Sequence, residues 1–332
     1  MPSHLSTLRE LSALCDTELA GTVEPSPALL QLGHALQQAG YRFTTVTPLT
    51  HQRVNAREGN KWAKNLTDAL GWSRPFREGV LPAQMSQLLH AAGAVIEVPG
   101  GWRSTLRAST LGERLFFHSA YPTTDANAVF FGPDTYRFAR ALEAALRSRA
   151  SRIRRAADIG CGAGPGAIAV ATQCPQAEVL AIDINDAALS LAAVNATLAG
   201  THNVRPCHGD LLKDAEGGFD LIISNPPYLA DPGQRAYRDG GGDLGDGLSL
   251  AIIDAAIERL APGGLLLMYT GVAFVDGAAP FLQKAAERLD HAAFRWHHEE
   301  IDPDVFGEEL DEAAYAKADR IAALWLVGEK PV

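Results

Sequence analysis

Asp158-Ile159-Gly160-Cys161-Gly162-Ala163-Gly164-Pro165-Gly166 is the stretch on which the fold turns. Ala156-Ala157-Asp158-Ile159 reads as a short buried strand, and Ala167-Ile168-Ala169-Val170-Ala171 continues as a helix with Pro165 or Gly166 in its first turn. The unit is therefore strand, tight turn, helix. Glycines are required where the backbone takes positive φ or approaches a ligand with no Cβ in the way. The helix N-terminus behind them offers free N–H groups. Gly162-x-Gly164-x-x-Ala167 fits a dinucleotide pattern, and Asp183, ending the strand Glu178-Val179-Leu180-Ala181-Ile182, suits the ribose hydroxyls of either NAD or S-adenosylmethionine. Asp158, Gly160, Gly162, Gly164 and Asp183 are thus candidate cofactor residues.

A second turn separates the two cofactors. Asn225-Pro226-Pro227-Tyr228 closes the apolar run Phe219-Asp220-Leu221-Ile222-Ile223-Ser224. A nitrogen conjugated with a carbonyl or a ring is a poor nucleophile, so a methyltransferase must bind its NH₂ in a geometry that aims the lone pair at the sulfonium methyl. The Asn225 side-chain oxygen and the Pro226 carbonyl suit the two N–H bonds, Pro227 fixes the turn, and Tyr228 offers a ring to a planar substrate. Asn225 is expected to serve both acceptor and cofactor, with Pro226 and Tyr228 beside it in catalysis.

With these residues the chain resembles the class I S-adenosylmethionine-dependent methyltransferases, and within them the release-factor glutamine N5-methyltransferases of the small methyltransferase superfamily. Phe131-Gly132-Pro133-Asp134-Thr135 resembles that family's Pro-Asp-Thr segment, although Gly132 and Tyr136 stand where the family usually has Arg and Glu. Asp239-Gly240-Gly241 and Asp246-Gly247-Leu248 resemble its loop after the fourth strand. The resemblance covers roughly residues 128–330. It implies an S-adenosylmethionine cofactor and N-methylation, first of a protein glutamine amide. A base amine in rRNA or tRNA is the alternative. A small-molecule S-adenosylmethionine-using enzyme and a non-catalytic binding module also remain open.

At 332 residues and 47% hydrophobic composition the chain is long enough for two globular domains. The expected division is 1–120, recognising substrate, and 121–332, carrying catalysis. Met1 to Glu10 lacks a basic segment leading into an apolar core, and no run of about 18 apolar residues follows, so a cytoplasmic protein with no membrane partner is expected. Cys15, Cys161, Cys174 and Cys207 show no paired spacing, so neither a disulfide framework nor a metal is indicated. Residues 1–150 carry 15 Lys and Arg against 12 Asp and Glu, a net of +3; residues 151–332 carry 14 against 27, a net of −13. So acidic a second half is a poor surface for phosphate backbones, and a structured RNA partner, the alternative to a protein one, would have to be held by the first half. The basic residues from Arg42 to Arg77, interrupted by Glu58, Asp68 and Glu78, read as a solvated helical face.

In the first half, helices are expected over 29–40 and 83–92. Strands are expected over 94–98, 102–108 and 113–118, the first two joined through Pro99-Gly100-Gly101, which gives a winged-helix-like α+β module. The second half alternates as a doubly wound α/β sheet requires. Strands ending at Asp158 and Asp183 are followed by 204–208, 219–224, 265–269, 292–297 and 321–327, seven in all, with ligands at their carboxyl ends. Asp210 then falls beside the adenine position, its carboxylate an acceptor for the exocyclic amine.

Overall fold

The computed structural model describes residues 23–233, 235 and 237–332, so the Met1 to Glu10 segment and Cys15 lie outside the described residues. In chain order the elements are α1 (Pro27–Gln38), α2 (Pro48–Asn55), α3 (Leu66–Leu70), α4 (Ala83–Ala91), β1 (Val95–Val98), β2 (Gly101–Ser104), β3 (Leu106–Leu111), β4 (Arg114–Ser119), α5 (Pro133–Leu146), β5 (Arg155–Ile159), α6 (Pro165–Gln173), β6 (Glu178–Asp183), α7 (Asp186–Leu198), β7 (Val204–His208), β8 (Phe219–Ser224), α8 (Gly247–Arg259), β9 (Leu260–Phe274), α9 (Pro280–His291), β10 (Arg295–Asp302) and β11 (Arg320–Glu329).

Seven strands form one sheet in the order β10-β11-β9-β8-β5-β6-β7. The run from β9 to β7 is parallel, and β11 alone runs against it, antiparallel both to β9 and to the edge strand β10, giving the seven-stranded doubly wound sheet expected. Alternate residues build two cores, as the period of two demands. Ala156, Val179, Ala181, Leu221, Ile223, Leu265 and Leu267 pack with Phe138 and Leu142 of α5 and with α6. Ala157, Ile159, Leu180, Ile182, Ile222, Leu266 and Met268 pack with Ile252 and Ile253 of α8 and Phe281, Ala285 and Leu289 of α9. β5 lies between β6 and β8, where the connections diverge, and such a point opens a crevice at the carboxyl ends.

The first half holds two separate antiparallel hairpins, β1-β2 and β3-β4, with Phe76 bridging to Trp102 at the edge of the first. The expected strand 102–108 is therefore two strands. Ser104 Oγ accepts from the Leu106 N–H and donates to the Leu106 carbonyl, and this turns the chain at Thr105. Helix α1 begins two residues earlier than expected because Ser26 caps the N–H of Leu29 and Pro27 takes the first position. Nor is the basic stretch wholly a solvated face: Arg74 is buried, pairs with Asp68 and donates to Asn55 Oδ1 at 2.8 Å. The last sheet strands also shift, because α9 runs to His291 and β10 begins only at Arg295.

The two halves share packed apolar surface. Leu29, Leu32, Leu36, Leu70 and Leu89 share one apolar cluster with Ala188, Leu191, Val194 and Leu198 of α7 and with Ala163 of the glycine turn.

Candidate active site

Three consecutive positions of the sheet converge on the crevice: the turn after β5, the end of β6 and the turn after β8. In the first, Gly160, Gly162 and Gly164 have φ of 69°, 54° and 82°, a region L side chains rarely adopt. The N–H groups of Gly160 and Cys161 donate to the Ile182 carbonyl at 2.8 and 3.0 Å, which ties the turn to β6. A Cβ built on Gly160 or Gly162 meets no atom within 4 Å, so the space above this turn is open to a ligand.

Asp158 sits beneath the turn rather than over it. Its Oδ2 accepts from the Ala167 N–H at 2.7 Å, and a Cβ on Gly166 would lie 2.7 Å from the same oxygen, so a glycine is needed for this approach. Burial raises the Asp158 carboxyl to about 7, with the nearby Asp183 adding to the rise. Asp183 accepts from the Gly162 N–H on Oδ2 and from the Asn185 N–H on Oδ1, each at 2.9 Å. Each oxygen keeps a lone pair for a hydroxyl donor. Burial raises this carboxyl too, against the lowering effect of those N–H bonds. Asp210 lines the same cavity beyond β7, mostly exposed and paired with Lys213.

After β8, Ser224 Oγ donates to the Ile159 carbonyl at 2.7 Å and fixes the Asn225 turn beside the glycine turn. Asn225 Oδ1 is buried and has no hydrogen-bond partner among the described residues. The four turn residues Asn225, Pro226, Pro227 and Tyr228 all line the cavity, whose volume is about 240 Å³. Tyr228 is 8% exposed, with ring centroids 6.4 Å from Tyr269 and 6.0 Å from Phe306. A Cβ on Gly271 would meet its Cδ2 at 2.2 Å, so the ring lies directly on the β9 backbone. Burial holds the Tyr228 phenol well above its ordinary range, with Asp134 reinforcing the rise. Tyr269 donates to Asp134 Oδ1 at 2.7 Å, and Arg137 reaches the same oxygen at 3.1 Å, so the Pro-Asp-Thr segment is tied to β9 at the cavity wall.

Sequence reasoning missed Phe130 and Tyr237, which also line the cavity. Their rings are nearly parallel, 12° apart with centroids separated by 6.4 Å. Tyr237 donates to the Thr123 carbonyl at 2.6 Å and so bridges the loop after Tyr228 to the segment before α5. That loop is also braced by Asp231, which pairs with Arg235 and Arg238, while Arg238 pairs with Glu309. The adjacent phenylalanines Phe130 and Phe131 before Gly132 are the one sequence signal that marks this wall.

A family model described as the methyltransferase small domain matches residues 127–278. The chain is 40% identical over 157 residues to a release factor glutamine methyltransferase of Deinococcus radiodurans, covering 44% of this chain and 55% of that protein. It is 36% identical over 197 residues to a release factor glutamine methyltransferase of Bordetella pertussis, covering 56% of this chain and 72% of that protein. A 4-amino-L-phenylalanine/4-methylamino-L-phenylalanine methyltransferase of Streptomyces pristinaespiralis is 31% identical over 167 residues, 46% of this chain and 56% of that protein. Matched segments thus span between 55% and 72% of these three relatives.

Proposed function

The chain belongs to the release factor glutamine methyltransferase family of S-adenosylmethionine-dependent methyltransferases, and from that premise we propose that it methylates a planar nitrogen, first of all the side-chain amide of a protein glutamine. One observation carries this reading. Asn225 Oδ1 is a buried acceptor with no partner among the described residues, placed in the cavity beside an open glycine turn. A buried acceptor left unmet costs about 1–3 kcal/mol, and an acceptor-substrate NH₂ meets it.

The residues present fit the cofactor: positive-φ glycines under open space, and Asp183 with lone pairs still free beside them. When bound, S-adenosylmethionine supplies an electrophilic methyl group. In this reading Asp183 takes the ribose hydroxyls and Asp210 the adenine amine. Asp158 acts beneath the turn, holding Ala167 and with it the start of α6. Asn225 Oδ1 and the Pro226 carbonyl accept the two N–H bonds of the acceptor and so aim its lone pair, while Pro227 keeps the turn rigid. Tyr228 closes the planar side of the slot. Most of the acceleration comes from orientation, because no group here needs to be covalently modified. Residues 1–120 recognise the acceptor in a cytoplasmic setting.

An aromatic amine is the second reading, favoured by the near-parallel Phe130 and Tyr237 rings on the cavity wall. The net charge of −13 over residues 151–332 disfavours an RNA base. Incubation of the purified protein with methyl-labelled cofactor and a lysate fractionated into protein, RNA and small molecules tests the assignment. Label in the protein fraction, mapped to glutamine, is expected; label in the RNA or small-molecule fraction alone overturns the first reading.

A further inference from the structure

The first half contains a buried polar cluster that the reaction proposed above does not use. Arg107, on β3, is 5% exposed, and His51, on α2, is 1% exposed. Arg107 donates from Nε to the Gly71 carbonyl at 3.0 Å, and its guanidinium lies 5.4 Å from the Phe43 ring centroid. Among the described residues its Nη2 has no hydrogen-bond partner and no carboxylate stands among the groups that act on its charge; the tyrosines around it, Tyr41, Tyr121 and Tyr136, are neutral phenols. A buried cation in this state is unusual, since such groups are ordinarily paired.

His51 lies between Tyr121 and Trp72, with ring centroids at 4.1 and 5.4 Å. Its neighbours fix its tautomer. Arg74 donates from Nε to Asn55 Oδ1 at 2.8 Å, and Asn55 Nδ2 donates to the Trp72 carbonyl at 2.8 Å and lies 3.3 Å from His51 Nδ1. Nδ1 therefore accepts and the proton sits on Nε2, the second buried donor here with no acceptor among the described residues. Burial, and after it Arg107 and Arg74, hold the imidazole neutral, down to about 3.

Two unmet donors and an uncompensated positive charge call for the same thing: an oxygen acceptor that carries negative charge. A neutral carbonyl would meet the donors and leave the cation uncompensated. We propose that Arg107 Nη2 and His51 Nε2 form a binding site for a small oxyanion group, a carboxylate or a phosphate. The site lies one helical turn from Pro48, which opens α2 and lines the main cavity. An oxyanion seated there ties α2 to the β3-β4 hairpin.

Thermal melting of the full chain tests this, with potassium chloride replaced stepwise by potassium phosphate or potassium acetate at constant ionic strength. A saturable rise of about 2 °C or more is expected with at least one of the two anions, and the more effective one identifies the group. Arg107→Met should abolish the rise. His51→Phe, which keeps a ring between Tyr121 and Trp72, should raise the half-saturating concentration about tenfold, the loss of one hydrogen bond to a charged group. Calorimetric binding of S-adenosylmethionine checks that each variant is folded; should Arg107→Met fail that check, His51→Phe decides. No saturable rise with either anion, or an equal rise in the folded variants, overturns the proposal.

Discussion

Asn195 grips Phe117 by both of its main-chain polar groups, accepting from the N–H at 2.8 Å and donating to the carbonyl at 3.0 Å, although 78 residues separate them. The same amide nitrogen donates to the Ala163 carbonyl at 2.9 Å. One fully buried side chain on α7 thus joins the β3-β4 hairpin to the glycine turn. Asn195→Ala leaves the Phe117 N–H without its partner and should cost about 2–4 kcal/mol. Urea unfolding measures it; a loss under about 1 kcal/mol would mean the contact is incidental.

Asn225→Ala removes the acceptor proposed to aim the substrate nitrogen while leaving the glycine turn and Asp183 in place. Turnover should fall about 100-fold or more, with a much smaller change in cofactor affinity. Single-turnover methyl transfer and calorimetry on the same sample separate the two effects. Near-normal turnover in a folded variant would sink the proposed alignment role.

Asp183→Ala should weaken S-adenosylmethionine binding by about 1–3 kcal/mol, as the acceptor proposed for the ribose hydroxyls is lost. The cofactor-free protein should also melt lower, because the N–H groups of Gly162 and Asn185 lose theirs. Unchanged cofactor affinity in the folded variant would remove Asp183 from the site.

Asp158 makes stability depend on pH in a defined direction. Its folded carboxyl is raised from 3.8 to about 7, so between those values the native state holds a proton that the unfolded chain has released. Stability from this group is present below about pH 4 and is lost as pH rises through 7. Asp158→Asn keeps an acceptor for Ala167 and removes the titration. Relative to the variant, the parent protein should lose about 1–4 kcal/mol between pH 4 and pH 7.5, read from urea midpoints. Parallel pH profiles would show that Asp158 is ionised throughout the range.

The sheet and the two turns were legible because their signals are local. Apolar runs of five or six residues, positive-φ glycines and Asn-Pro-Pro-Tyr each need only neighbouring residues to be read. The break at Thr105 was not legible, since it depends on which way the Ser104 hydroxyl turns. Helices α2 and α3, of eight and five residues, are too short to show a periodicity. Arg74 read as solvated because its partners Asp68 and Asn55 are assembled by a fold rather than by a helical repeat. Phe130 and Tyr237 meet only because the chain returns across the cavity, 107 positions later, a relation that spacing does not encode.

The cluster in which Leu191, Val194 and Leu198 meet Leu29, Leu32 and Leu36 bears on how this architecture can be exchanged. A first half that is a freestanding module can be swapped onto another second half by cutting one linker. Here the cut would strip a helix whose other end begins three residues after Asp183. Any chimera must therefore bring α7 with the transplanted segment, or redesign its outward face. Substitutions on that face and substitutions in α1 act on one shared core, so their effects on stability should not add independently.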